Sequence, residues 1–189
     1  MKHAAELETI LRRSAPLMAV MRTIRSLDPP DWLIFSGAIY QRVLNHLGGR
    51  DPDYGIKDYD VGYFDASDIS YEAEDVVIRR VAAAFEPPLR DLVEVRNQAR
   101  VHVWFEDKFG LPYEPLTCTA EALTRFVSPL HAVGVRLEPD DTMTVVAPFG
   151  LDDLFARVLR PTPGRGAKNF PRIAASAKAR WPELTIAEA

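Results

Sequence analysis

Cysteine is almost absent from this sequence, since Cys118 is the only one among 189 residues. A single cysteine excludes an internal disulfide and cannot build a zinc site by itself. A strong excess of one charge is also missing: the net charge is −4, with 26% charged residues. We therefore expect no long nucleic-acid duplex as a partner. The single cysteine is typical of a reducing, cytoplasmic setting, which we therefore expect. Because no apolar run approaches the length of a membrane span, we expect no membrane partner.

The composition, 47% hydrophobic, is typical of a folded protein with a proper core. The length predicts one domain over 1–189, with N-terminal helices over 1–28, a core over 30–110 and a C-terminal hairpin with helices over 111–189. The N-terminal stretch carries acids and arginines and is interrupted by Pro16. It is unlike a secretory signal, and Pro16 suits the first turn of a second helix.

Strand patterns and helix patterns alternate through the first part of the chain. Short apolar runs predict strands at 32–37, 58–65 and 91–96, and periodic segments predict helices at 38–47 and 71–85. The stretch 97–110 alternates at first like a strand, but its apolar spacing also fits a helix that ends at Gly110, and we favour the helix. A hairpin turning at Asp140-Asp141 follows, and then helices at 150–159 and 170–181. The pattern predicts an α+β (α/β-like) fold, in which helices pack on a mixed β-sheet.

Two strands of the predicted sheet carry acidic side chains. Asp58 and Asp60 share one strand face, where two carboxylates repel each other unless something offsets them. Glu94 stands between two valines on a later strand. Three carboxylates on one face of neighbouring strands would form an oxygen-rich site for one or two Mg²⁺ ions, with Mn²⁺ as an alternative. The simpler alternative is a set of solvated acids, with Lys57 and Arg96 as partners.

Phosphate-binding features flank these acids. Ser36 and Gly37 open a helix, where backbone N–H groups and the positive end of the helix dipole favour a phosphate. Lys57 directly precedes Asp58 and could neutralise phosphate charge, although a lysine beside a turn is usually solvated. The basic loop at 160–168 could close over a substrate, with a solvated loop as the default.

A dense polar cluster follows Glu94: Arg96, Asn97 and Arg100. Arginine binds phosphate through two parallel hydrogen bonds, and asparagine could contact a base or a ribose. The alternative is that the two arginines form surface ion pairs, which contribute only about 0–1 kcal/mol each.

Five stretches resemble a known bacterial family: SGAIYQ, GIKDYDVGYFD, VEVRNQARVH, APFGLDDLFARVLRPTP and WPEL. The family is the nucleotidyltransferase-like one within the polymerase-beta-type superfamily, which includes DNA polymerase beta and the CCA-adding enzymes. In that superfamily a glycine turn precedes a strand with an Asp-x-Asp motif, and a later strand supplies a third acid. The resemblance covers most of the chain beyond the N-terminal helices.

The resemblance implies a Mg²⁺-dependent transfer of a nucleoside monophosphate from a nucleoside triphosphate, ATP by default. The acceptor hydroxyl is unknown and could belong to a small molecule, a protein or an RNA end. Asp58, Asp60 and Glu94 would be the catalytic metal ligands. The nucleotide would be bound by six residues: Ser36, Gly37, Lys57, Arg96, Asn97 and Arg100.

Ala38 marks a departure from the superfamily's Gly-Gly or Gly-Ser turn, because the hydroxyl that usually follows the glycine is missing. This departure motivates an alternative, a catalytically degenerate transferase fold that binds a nucleotide or a partner without turnover. A metal-dependent phosphohydrolase ranks third, because the sequence lacks the histidine-rich ligand set of many such enzymes.

Overall fold

A central mixed sheet organises the computed structural model, which describes residues 1–164 and 169–188. Its five strands are β1 Leu33–Phe35, β2 Tyr59–Tyr63, β3 Val93–Asn97, β4 Gly134–Leu137 and β5 Met143–Val146, in the order β3-β2-β1-β4-β5. The β2–β3 pair is parallel and the other pairs are antiparallel. The predicted mixed sheet and the late hairpin are therefore confirmed.

The helices surround this sheet. They are α1 Ala4–Arg12, α2 Ala15–Leu27, α3 Gly37–Leu47, α4 Tyr71–Ala82, α5 Leu89–Leu92, α6 Val101–Phe109, α7 Thr119–Ala122, α8 Asp152–Phe155 and α9 Phe170–Arg180. Pro16 lies in the first turn of α2, as predicted. Ser70 caps α4 by accepting a hydrogen bond of 3.2 Å from the Ala73 N–H, and α6 ends at Gly110, whose φ is 66°. None of the helices in the described residues is long and apolar enough to cross a membrane.

The chain departs from the predicted helix at 150–159. Only Asp152–Phe155 is α-helical, because Arg157 adopts a left-handed conformation, with φ 56°, that ends the helix. The following residues form β6 Val158–Leu159, which pairs in parallel with β7 Thr185–Ile186. Neither this small sheet nor α5 was predicted. Residues 165–168 of the predicted basic loop lie outside the described part of the chain.

The two faces of the central sheet differ in character. Ile34, Val61 and Val95 occupy one row across β1, β2 and β3, and all three belong to the main core, with side chains of α1, α2, α3 and α9. Phe35, Asp60 and Glu94 form the next row, which points to the opposite face because successive side chains alternate. On that second face a smaller apolar cluster surrounds Phe35, and the acids lie beside it.

Candidate active site

Asp60 and Glu94 are register partners on the parallel strands β2 and β3. Neighbouring strands lie roughly 4.8 Å apart, so the two carboxylates project from adjacent positions on one face. Asp58 directly precedes β2, and the strand alternation gives it the face of Asp60. The structure thus brings the three predicted acids to one edge of the sheet.

The three acids perturb one another. Burial, together with the charge of Glu94, raises the pKa of Asp58, and Lys57 opposes this shift. Burial and the charges of Asp58 and Glu94 raise the pKa of Asp60 to about 6, against the opposing effects of Ser36 and Arg96. Neither aspartate forms an ion pair with any residue in 1–164 or 169–188. The charges of the two aspartates are therefore not offset by an ion pair within the described residues, whereas Glu94 lies 3.7 Å from Arg96.

This donor set fits a divalent cation. Carboxylate oxygens are the ligands that Mg²⁺ and Mn²⁺ prefer, and unneutralised acids on one face supply the charge that such an ion needs. As they stand, no three His, Cys, Asp or Glu side chains among the described residues enclose a metal-sized space. The Glu94 side chain is 54% exposed, so it can change rotamer toward Asp60 without disturbing the core.

The turn before α3 has an unusual backbone. Ser36 is the N-cap residue, with φ 64° and ψ −142°, a conformation normally reserved for glycine. A Cβ on Gly37 would lie 2.6 Å from Gln41 Nε2, the far end of a flexible side chain, so Gln41 would have to shift to admit it. The first N–H groups of a helix have no acceptor within the helix, and here they are available at the side of the acids.

A cleft of about 400 Å³ joins this turn to the acids. Five of its lining residues were predicted from the sequence: Ser36, Gly37, Lys57, Asp58 and Asp60. The other five were not predicted: Tyr40, Gln41, Gly55, Ser176 and Arg180. Asp58, Asp60 and the predicted phosphate-binding turn therefore share one cavity, whose lining does not include Glu94, and α9 closes its far side.

Helix α9 presents a basic stripe to this cleft. Arg172, Ser176 and Arg180 are spaced four residues apart and so lie on one helix face. Ser176 and Arg180 line the cleft, and all three line an adjoining cavity of about 190 Å³. Arg180 forms no ion pair with the described residues, and its guanidinium stacks 4.5 Å from the Trp181 ring centre. Arg180 therefore lines the same cleft as Asp58 and Asp60, and none of the three forms an ion pair with the described residues.

Tyr40 lines both cavities, and His131 lies beside it. Their rings lie 4.5 Å apart, and both line the smaller cavity. Desolvation and the charge of Arg180 lower the pKa of His131 to about 4, so this histidine is neutral at pH 7. Burial and the charge of Asp60 raise the pKa of Tyr40, whereas Gln41 and Arg180 oppose that shift.

The remaining predicted nucleotide ligands lie elsewhere. Asn97 is buried on the core face, where it accepts hydrogen bonds from Asp65 N–H and Ala99 N–H. Arg100 forms a buried ion pair of 2.6 Å with Glu74, and Arg96 lies 3.7 Å from Glu94. Both arginines line a separate cavity of about 480 Å³. Asn97 therefore stabilises the end of β3, and the two arginines face a different space from the turn at Ser36.

The contribution of α9 carried only a weak sequence signal. The stripe of Arg172, Ser176 and Arg180 is visible in FPRIAASAKAR as a polar face at helical spacing. Such a stripe is also typical of an ordinary solvated helix face, and nothing local indicates that it reaches a strand more than a hundred residues earlier.

Comparison with known proteins adds a family to this geometry. A family model described as "Nucleotidyltransferase" matches residues 22–186. None of the curated proteins matches the sequence.

Three solved structures share the fold. An NMR structure described as a CCA-adding enzyme head domain is 24% identical, with a TM-score of 0.76, over 100% of this chain and 98% of that chain. A CCA-adding enzyme in complex with CTP is 15% identical, with a TM-score of 0.58, over 96% of this chain and 43% of that one. A tRNA-processing enzyme complex is 17% identical, with a TM-score of 0.50, over 89% of this chain and 43% of that one.

Proposed function

This chain belongs to the nucleotidyltransferase family whose model spans residues 22–186, and we propose that it transfers a nucleoside monophosphate from a nucleoside triphosphate to an acceptor hydroxyl with the help of Mg²⁺. The observation that carries the proposal is the pairing of Asp60 with Glu94 beside a cleft bounded by the Ser36–Gly37 turn and Arg180. An acidic wall facing a basic wall complements a triphosphate that carries a divalent cation.

The acids and the turn have separate roles. Asp58 and Asp60 would hold the cation, and Glu94 would complete the set after a change of rotamer. When bound, Mg²⁺ or Mn²⁺ would neutralise phosphate charge and fix the attacking and leaving oxygens. The backbone N–H groups after Ser36 bind the terminal phosphates, and Lys57 and Arg180 neutralise them from two sides.

The transfer is an in-line displacement. The acceptor oxygen attacks the α-phosphorus and a new P–O bond forms, while the bond to the α,β-bridging oxygen breaks and pyrophosphate leaves. Glu94, the most exposed of the three acids, orients the acceptor hydroxyl and takes its proton on a carboxylate oxygen. Positioning and electrostatic stabilisation supply the rate enhancement.

Calorimetric titration tests this function. The parent is expected to bind Mg²⁺ together with a non-hydrolysable ATP analogue, and the Asp58→Asn/Asp60→Asn variant to bind at least tenfold more weakly. Asp65→Asn is the matched control, because Asp65 lies outside the cleft and bonds Ser67 of its own turn. Equal affinity for the parent and the double variant would sink the proposal. The panel includes CTP, which is bound in one of the similar structures.

A second candidate function is nucleotide binding without turnover. It is favoured by Ala38, a fully buried residue without a hydroxyl at the position after Gly37. Release of pyrophosphate from any of the four triphosphates with Mg²⁺, in the presence of a panel of hydroxyl acceptors, would exclude this candidate.

A further inference from the structure

A second cavity opens on the other side of Glu94. Its volume is about 480 Å³, which lies in the range of small-molecule sites. Its walls are Tyr71, Glu74, Ile78, Arg96, Arg100, Trp104, Asp107 and Lys108. Arg96 connects it to the acids, since its guanidinium lies 3.7 Å from the Glu94 carboxylate. The cavity shares no lining residue with the cleft of Ser36 and Arg180.

In-line displacement requires the acceptor to approach opposite the leaving pyrophosphate. The phosphate-binding turn and Arg180 lie with the cleft on one side of Asp60. Glu94 lies on the other side of Asp60, on the edge strand β3. Arg96, two residues further along the same strand, lines the second cavity. We infer that this second cavity binds the acceptor, and that the acceptor is a small molecule bearing a planar ring and an anionic group. The inference rests on the proposed function.

The planar ring is indicated by two aromatic side chains from different helices. Tyr71 begins α4, and Trp104 lies in α6. Each is accompanied by a cation: the Arg100 guanidinium lies 5.6 Å from the Tyr71 ring centre, and the Lys108 ammonium lies 5.5 Å from the Trp104 ring centre. Aromatic faces beside cations favour a flat π-system that carries negative charge.

The anionic group is indicated by the charge of the cavity wall. Three cations and two acids line it, a net charge of +1 on a chain of net charge −4. Arg100 is neutralised by Glu74 at 2.6 Å. Lys108 forms no ion pair with the described residues, so it is the cation most available to a ligand.

A small molecule fits this surface better than a nucleic-acid strand. A strand needs a basic stripe that tracks several phosphates. In this wall the three cations are interrupted by Glu74 and Asp107, which would repel the successive phosphates of a strand.

Tryptophan indole N–H signals in NMR provide a binding readout. Trp32 and Trp181 are buried at 3% and 0% exposure, whereas Trp104 is half-buried in the cavity wall. The probe is 2-naphthoate, and the comparison probes are cyclohexanecarboxylate, 2-naphthylmethylammonium and a six-nucleotide single strand. The Trp104 signal is expected to respond to 2-naphthoate at least fivefold more strongly than to any comparison probe. An equal response to one of them would overturn the ligand class.

Variants separate this inference from the proposed function. Lys108→Met is expected to weaken 2-naphthoate binding about fivefold, because it removes the charge and keeps the apolar stem. Arg22→Ala, an exposed control on α2, is expected to leave binding unchanged. Asp58→Asn/Asp60→Asn is expected to bind the probe like the parent, whether or not the protein binds nucleotide. Unchanged binding in Lys108→Met would contradict the inference.

Mn²⁺ tests whether the bound probe lies beside the acids. In the parent, Mn²⁺ is expected to broaden the NMR signals of bound 2-naphthoate, and in Asp58→Asn/Asp60→Asn this broadening is expected to disappear although the probe still binds. Broadening that is equal in both proteins, or absent from a parent that binds Mn²⁺, would overturn the acceptor role. A parent that binds no Mn²⁺ would count against the proposed function as well as the acceptor role and leave the ligand-class result intact.

Discussion

Asp60 stands directly opposite Glu94 in the parallel β2–β3 register. Like charges at directly opposed positions in a sheet destabilise it, and the aspartate is also partly desolvated. The fold therefore carries an electrostatic cost at this edge that no side chain among the described residues offsets by an ion pair with the aspartate. Such a cost is expected where a site is built for a cation and not for stability.

Asp60→Asn is predicted to stabilise the metal-free protein. The pKa of Asp60 is raised from 3.8 to about 6 on folding, so the unfolded chain loses this proton more readily. Protonated Asp60 therefore contributes to the free energy of unfolding in full below pH 3.8, and this contribution is lost as the pH rises through about 6. At pH 7 the variant is expected to unfold with a free energy about 1–2 kcal/mol higher, after allowance for solvent screening. Urea unfolding titrations of both proteins, with EDTA present to remove metal ions, measure this difference in free energy.

The pH profile of the same variant supplies the control. Parent and Asp60→Asn are expected to have similar stability near pH 4 and to diverge as the pH approaches 7. With Mg²⁺ and nucleotide added, only the parent is expected to gain stability. A variant less stable than the parent at pH 7 would show that Asp60 has a structural role in place of the one proposed.

Alternation along two strands was enough to predict the acidic edge. Asp58 and Asp60 share a face by their spacing, and Glu94 lies opposite the flanking valines on its own strand. The pairing of β2 with β3 was an assumption taken from the order of elements, because strand periodicity carries no information on which strands are neighbours. That Glu94 aligns with Asp60, and not with Gly62, depends on packing across the whole sheet.

The rest of the site depends on contacts between distant parts of the chain. Arg180 reaches the cleft because α9 packs Trp181 into the core, where its indole N–H donates to Asn45 Oδ1 at 2.8 Å. Residues 150–159 mislead for the same reason: their apolar pattern suits a helix, but Val158 and Leu159 pair with the C-terminal strand instead. Local helix and strand propensities contain no information about a pairing partner 27 residues away in the chain.

Arg180→Ala is predicted to weaken binding of inorganic tripolyphosphate with Mg²⁺ about tenfold or more. A hydrogen bond to a charged group contributes about 1.5–3 kcal/mol, and this guanidinium is the unpaired cation on the α9 side of the cleft. Binding of adenosine, which lacks phosphate, is expected to change little. Arg22→Ala serves as the control of equal charge. If both variants bound tripolyphosphate equally well, Arg180 would have no role in phosphate binding.

Ser36→Gly is predicted to stabilise the protein by about 1 kcal/mol. Ser36 has φ 64° and ψ −142°, a region that costs a side-chain-bearing residue about 1–3 kcal/mol, and glycine adopts it without strain. Ser36→Ala is the matched control, since it removes the hydroxyl near Asp60 and keeps the strain. The midpoint temperature of thermal unfolding is therefore expected to be higher for Ser36→Gly than for the parent, and no higher for Ser36→Ala than for the parent. A glycine variant no more stable than the alanine variant would refute the strain.

His131 is predicted to make the protein less stable as the pH falls from about 6.5 to about 4. Its pKa is lowered from 6.5 to about 4, so in this window the unfolded chain binds a proton that the folded protein does not. The groups that face it are Tyr40 on α3 and Arg172 and Arg180 on α9.

The variant His131→Gln isolates this effect. It is expected to lack that part of the decline, which amounts to about 1–2 kcal/mol at pH 4.5 after allowance for partial exposure. His46→Gln, a substitution at an exposed position in the last turn of α3, is the control and should follow the parent. Urea midpoints measured at half-unit steps from pH 7 to pH 4.5 give the comparison. Parallel curves for the parent and His131→Gln would mean that His131 accepts a proton in the folded state as readily as in the unfolded chain.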